Sequence, residues 1–109
     1  MTDLWWLSFA DPTRPTGSQF LGAALVEGQS LLDAAQTAWI LGCNPGGEVG
    51  GVELPDDLAV VVPVAALHIL FNEKESRIIA LPVTPEGFRS ALTRVLRERT
   101  APNEMEDPT

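Results

Sequence analysis

Apolar positions along this chain switch between a period of two and a helical period, and the switches mark its elements. Leu4-Trp5-Trp6-Leu7-Ser8-Phe9 is rich in aromatic residues and ends at Asp11-Pro12. It predicts a first strand, with Trp5, Leu7 and Phe9 on one face and Leu4, Trp6 and Ser8 on the other. Prolines 12 and 15 and Gly17 make Asp11 to Gly17 a loop, because neither residue type sustains a ladder. Gln19 to Val26 predicts a second strand, pairing with the first as a hairpin across that loop.

Ser30 stands where a helix N-cap belongs, and Asp33 three residues on completes a capping-box-like start. A helix is expected over Leu31 to Leu41, with Leu31, Ala35, Ala38 and Trp39 on one face. That stripe predicts Trp39 in the core. Gly42 falls where a left-handed residue ends a helix. Val49 to Leu54 predicts a third strand, thinned by Gly50 and Gly51, which point to a bulge or a close backbone approach.

The second half reads less sharply. Pro55-Asp56-Asp57 predicts a solvated turn, Leu58 to Val62 a short β-branched strand, and Pro63 the start of a short helix over Val64 to Phe71. Arg77 to Leu81 reads as a further strand. Thr84-Pro85-Glu86 starts the last helix, whose apolar stripe is Phe88, Ala91, Leu92, Val95 and Leu96. The order β-β-α-β, then a mixed segment, then α, predicts a small α+β domain over 1–99, with an antiparallel or mixed sheet and a C-terminal helix packed on it. Residues 100–109, with prolines and Glu104, Glu106 and Asp107, are expected to form a disordered acidic tail.

Composition narrows the setting. A chain of 109 residues suits one domain, and its single cysteine cannot form an internal disulfide. No basic residue precedes the first apolar run, and the longest such run, Leu58 to Phe71, is too short for a bilayer. A cytoplasmic protein of a bacterial host, without a membrane segment, is the expectation. The net charge of −8 repels phosphate backbones, which disfavours nucleic acid and favours a protein partner with a basic surface.

The densest stretch of special residues is Cys43-Asn44-Pro45-Gly46-Gly47-Glu48-Val49. Together with Leu7-Ser8-Phe9, Phe20-Leu21-Gly22 and Ala38-Trp39-Ile40-Leu41-Gly42, it resembles a group of small uncharacterised bacteriophage and bacterial proteins. The resemblance covers roughly residues 4–57, and that group has no assigned activity. It implies a small accessory protein encoded by a phage or mobile element, of a kind that acts by binding something of the host. It carries over no catalytic residue.

Each candidate site has a structural reading beside the functional one. Consecutive glycines can turn N–H groups inward to hold an anion, which makes Asn44, Gly46 and Gly47 candidates for a nucleotide-like ligand. A plain turn explains them as well. Trp5 and Trp6 point to opposite faces, so one is expected at a pocket rim or partner surface unless the sheet is covered twice. Arg94 and Arg97 are i,i+3 neighbours that form either a small anion patch or a solvated helix face.

Cys43 follows a helix C-terminus, where the dipole opposes a thiolate, and only His68 could serve it as a base. A small buried thiol and a packed or surface histidine are the simpler readings, and no residue pattern has metal-ligand spacing. The expected function is non-catalytic binding of a protein partner, without a cofactor or metal. Ligand sequestration by the glycine loop and a Cys43-dependent enzyme are the alternatives, and an open strand edge beside Gly50 and Gly51 would allow a homodimer.

Overall fold

The computed structural model describes residues 3–80 and 84–100. Strands β1 (Asp3–Ala10), β2 (Phe20–Gly28) and β3 (Glu48–Glu53) form one antiparallel sheet in the order β2-β1-β3. Helix α1 (Leu31–Leu41) covers one face. The other face is covered by α2 (Asp56–Ala59), a 3-10 turn at Val64–Ala66, α3 (Glu73–Ala80) and α4 (Pro85–Thr100). The fold is α+β, and the strand-helix order of the first half is the predicted one.

Two apolar clusters sit on either side of the sheet, because successive strand residues point to opposite faces. Leu7, Phe9, Ala24 and Val26 meet Ala34, Ala38 and Cys43 on the α1 side. Leu25 meets Phe71, Ile79, Phe88, Leu92 and Val95 on the other. Double coverage leaves both Trp5 and Trp6 half-buried. Trp5 packs on the α1 side and its Nε1 donates to the Gly28 carbonyl at 2.9 Å. Trp6 packs on the far side, stacked on Phe71 at 6.3 Å between ring centroids.

Helix α1 begins and ends as its sequence predicts. Ser30 Oγ accepts from the Asp33 N–H at 3.1 Å, and the Asp33 carboxylate accepts from the Gln29 N–H at 2.8 Å. Gly42 closes it at φ 83°, its N–H directed at the Ala38 and Trp39 carbonyls. Its buried face, however, is Ala34, Ala35 and Ala38, and Trp39 is 66% exposed rather than in the core. The helix approaches β2 so closely that a Cβ on Gly28 would lie 2.6 Å from the Ala34 nitrogen. Only alanines fit between helix and sheet at that distance, so the large side chains turn outward.

Three expectations for the second half are corrected. Leu58 to Val62 is not a strand: Pro55 stands extended before α2, with Asp56 and Asp57 in that helix's first turn. Val64 to Phe71 is helical only over the 3-10 turn. Beyond it the chain lies along the outer edge of β2, where His68 N–H donates to the Leu25 carbonyl and Phe71 exchanges two bonds with Ala23. An edge strand's unpaired groups are better satisfied that way than by another helical turn. Arg77 to Ala80 belongs to α3, not to a strand; Leu81 lies outside the described residues. The missed signal was Asn72-x-x-Glu75, a reciprocal cap with the Glu75 N–H on Asn72 Oδ1 at 2.8 Å and the Asn72 N–H on Glu75 Oε1 at 2.9 Å. Residues 101–109, the expected acidic tail, lie outside the described residues.

Candidate functional site

The loop after α1 uses its special residues on itself. Asn44 Nδ2 donates to the Ala35 carbonyl at 3.1 Å, and Asn44 Oδ1 accepts from the Gly46 N–H at 2.8 Å. The side chain thus pins the loop to the helix while closing a tight Asx turn. Gly46 and Gly47 both take positive φ, 94° and 76°. A Cβ on Gly47 would stand 2.3 Å from the Ala10 carbonyl oxygen, so the loop's backbone lies directly against the end of β1. With the Gly46 N–H engaged and Gly47 pressed on β1, little of an anion nest is left facing outward.

Cys43 is buried in the α1-side cluster, and loss of water around it pushes the thiol above its ordinary value. His68, the sole histidine, is engaged elsewhere: its Nε2 donates to Glu27 Oε1 at 2.6 Å. Burial pushes the Glu27 carboxyl up, but the bond from His68 and a backbone bond outweigh it and hold the group below its usual range. His68 has φ 64°, held there as its N–H reaches Leu25 and its ring reaches Glu27. The geometry makes it a clasp between the segment over the β2 edge and β2 itself.

The arginines of α4 divide. Arg94 is paired with Glu98 at 3.2 Å on the exposed helix surface. Arg97 lines a broad open hollow of about 690 Å³ with Ala65, Ile69, Leu96 and Arg99. Arg99 is committed to Glu75 and to the Leu70 carbonyl. None of these side chains meets the glycine loop in a common site. Among the described residues there is no group of three or more His, Cys, Asp or Glu placed to hold a metal ion, and no helix long and apolar enough to cross a membrane.

The sequence reading missed the outward face of α1. Leu32, Gln36, Trp39 and Ile40 recur at helical spacing, and Leu32, Trp39 and Ile40 are 67%, 66% and 81% exposed. The signal was ambiguous because α1 is apolar almost all round, with Asp33, Gln36 and Thr37 its only strongly polar positions. Such a pattern cannot say which stripe faces the core. An exposed tryptophan flanked by two large aliphatic side chains leaves an apolar patch facing water on this helix.

Trp6 does stand at a pocket rim, but on the other face. It borders a hollow of about 270 Å³ with Ser8, Phe20, Ser76 and Arg77, and one of about 190 Å³ with Val52, Leu58, Ile79 and Phe88. Comparison of the chain with protein-family models, curated proteins and solved structures gives no match.

Proposed function

We propose that the chain is a non-catalytic protein-binding module that contacts its partner through the outward face of α1. The observation that carries this reading is Trp39, two-thirds exposed between exposed Leu32 and Ile40 on a helix capped at both ends. A rigid aromatic anchor costs little entropy to immobilise and buries a large area, which is why such residues concentrate binding energy. The net charge of −8 favours a partner whose apolar groove is ringed by basic residues. The loop resemblance extends the reading to a phage- or mobile-element-encoded protein acting on a host protein in the bacterial cytoplasm.

The alternatives have less to stand on. Sequestration of an anion needs the loop's N–H groups and an arginine together, and they lie apart. Thiol chemistry needs an accessible, activated Cys43, and burial acts against both requirements.

Capture from bacterial lysate by immobilised protein tests the reading. A retained partner should be released by salt and lost when Trp39→Ala and Ile40→Asp are combined, with the fold of the variant verified by circular dichroism. No retention at low salt, or equal retention by the double variant, would sink it.

A further inference from the structure

The second edge of the sheet is open. β2 is covered along its outer side by the segment ending at Phe71, whereas β3 has no strand beyond it among the described residues. The Leu54 N–H donates to the Leu4 carbonyl at 2.8 Å. In an antiparallel ladder the bonded pairs alternate, so Val49, Gly51 and Glu53 turn their N–H and C=O groups outward. The strand carries no proline, lysine or bulge of the kind that blunts an exposed edge.

Two further features adjoin this edge. Val52, 59% exposed, is the rim of the hollow of about 190 Å³ whose walls are Trp6, Leu54, Leu58, Ile79 and Phe88, all apolar. Both ends of β3 are acidic. Glu48 stands at one, and Glu53 stands with Asp3 and Asp56 at the other. A hydrogen bond shared with Asp3, then partial loss of water, then the charges of Asp3 and Asp56 push the Glu53 carboxyl up.

The geometry points to β3 as the docking edge for a basic extended peptide, which adds antiparallel as a fourth strand, drops an apolar side chain beside Val52 into the hollow, and sets basic side chains opposite Glu48 and Glu53. Main-chain bonds to an open edge supply affinity, and pockets for alternate side chains supply selectivity. The partner side chain opposite Val52 shares its face of the sheet, which is the face with the hollow. Two other occupants carry the wrong charge. The outward groups of Val49, Gly51 and Glu53 let a second copy pair about Gly51, with Val49 opposite Glu53, but that brings two edges together that each end in acids and offers neither Glu48 nor Glu53 a basic partner. The chain's own C-terminal stretch is equally unsuited, with Glu104, Glu106 and Asp107. This surface is separate from the α1 face and does not depend on it.

The test uses the full chain and the end-capped synthetic peptide Lys-Leu-Thr-Thr-Val-Lys, written to pair with Glu53 through Glu48. Calorimetry should detect binding that weakens about tenfold as salt is raised to about 0.5 M. Methylating the backbone nitrogen of the peptide's third residue, which faces Gly51, should abolish binding. Methylating the fourth, which faces solvent, should leave it within about twofold. Val52→Lys should abolish binding, while Trp39→Ala should leave it unchanged. Amide exchange should slow at Val49, Gly51 and Glu53. No binding at about 1 mM peptide, indifference to the methyl position, binding lost with Trp39→Ala instead, or a dimer in sedimentation that Val52→Lys dissociates would each overturn the assignment. The last of these would make the occupant a second copy.

Discussion

Arg99 grips Glu75 with two parallel bonds, Nε to Oε2 at 2.8 Å and Nη2 to Oε1 at 2.7 Å, and so joins the end of α4 to the start of α3. Arg99 Nη2 also donates to the Leu70 carbonyl at 2.8 Å, and the guanidinium lies 5.5 Å from the Phe71 ring centroid. One side chain therefore serves two helices and the segment that covers the β2 edge. A planar fork can do this, and an ammonium cannot.

Replacing that fork should be costly for a surface arginine. Arg99→Lys should lower stability by about 1 to 2 kcal/mol in denaturant unfolding, a figure reduced from that of a buried pair because Arg99 is partly exposed. The effect depends on pH. Burial pushes Glu75 up, but the bonds from Arg99 and from the Asn72 N–H hold its carboxyl below the ordinary 4.5. A folded-state value below the unfolded one means the contribution is complete above the unfolded value and lost as pH falls through the folded one. The gap between the natural chain and Glu75→Gln should thus be full at neutral pH and close on acidification below about 4.5. A gap constant with pH would refute this.

The two loop glycines should respond differently to alanine. Gly46 is left-handed but faces open space, so Gly46→Ala should cost about 1 to 2 kcal/mol, the left-handed penalty alone. At Gly47 the new Cβ also meets the Ala10 carbonyl, so Gly47→Ala should cost roughly 3 kcal/mol. Equal losses in thermal unfolding would mean that the loop does not press on β1.

Ser76 is buried in α3, and its Oγ has no hydrogen-bond partner among the described residues. An orphaned hydroxyl costs free energy that a methyl group does not, and alanine is the better helix former. Ser76→Ala should raise stability by about 1 kcal/mol. A loss of stability in the same unfolding experiment would show that the hydroxyl is satisfied in solution.

Cys43 should be inert in the folded chain. Its thiol is buried and its ionisation disfavoured, so a water-soluble disulfide reagent should react slowly until denaturant is added. Reaction at the denatured rate without denaturant would overturn the buried placement and revive thiol chemistry.

The sequence by itself determined the parts whose physics is local. Ser30 and Asp33 start α1, Gly42 stops it, Thr84 Oγ1 accepts from the Gly87 N–H at 3.1 Å at the head of α4, and alternation sets the faces of β1. Caps, left-handed glycines and a period of two act within a few residues, so they can be read without a fold. Tertiary structure alone decided which stripe of α1 is buried. That choice rests on how closely the helix can approach β2 at Gly28, a distance no window of sequence contains. It also decided that the run ending at Phe71 covers one sheet edge, because the unpaired groups it satisfies lie far earlier in the chain, with Phe71 paired to Ala23 some forty-eight positions before it. And it decided that β3 keeps its own edge open among the described residues, with Trp39 and Val52 facing outward on surfaces that the apolar pattern alone had assigned to the interior or left unplaced.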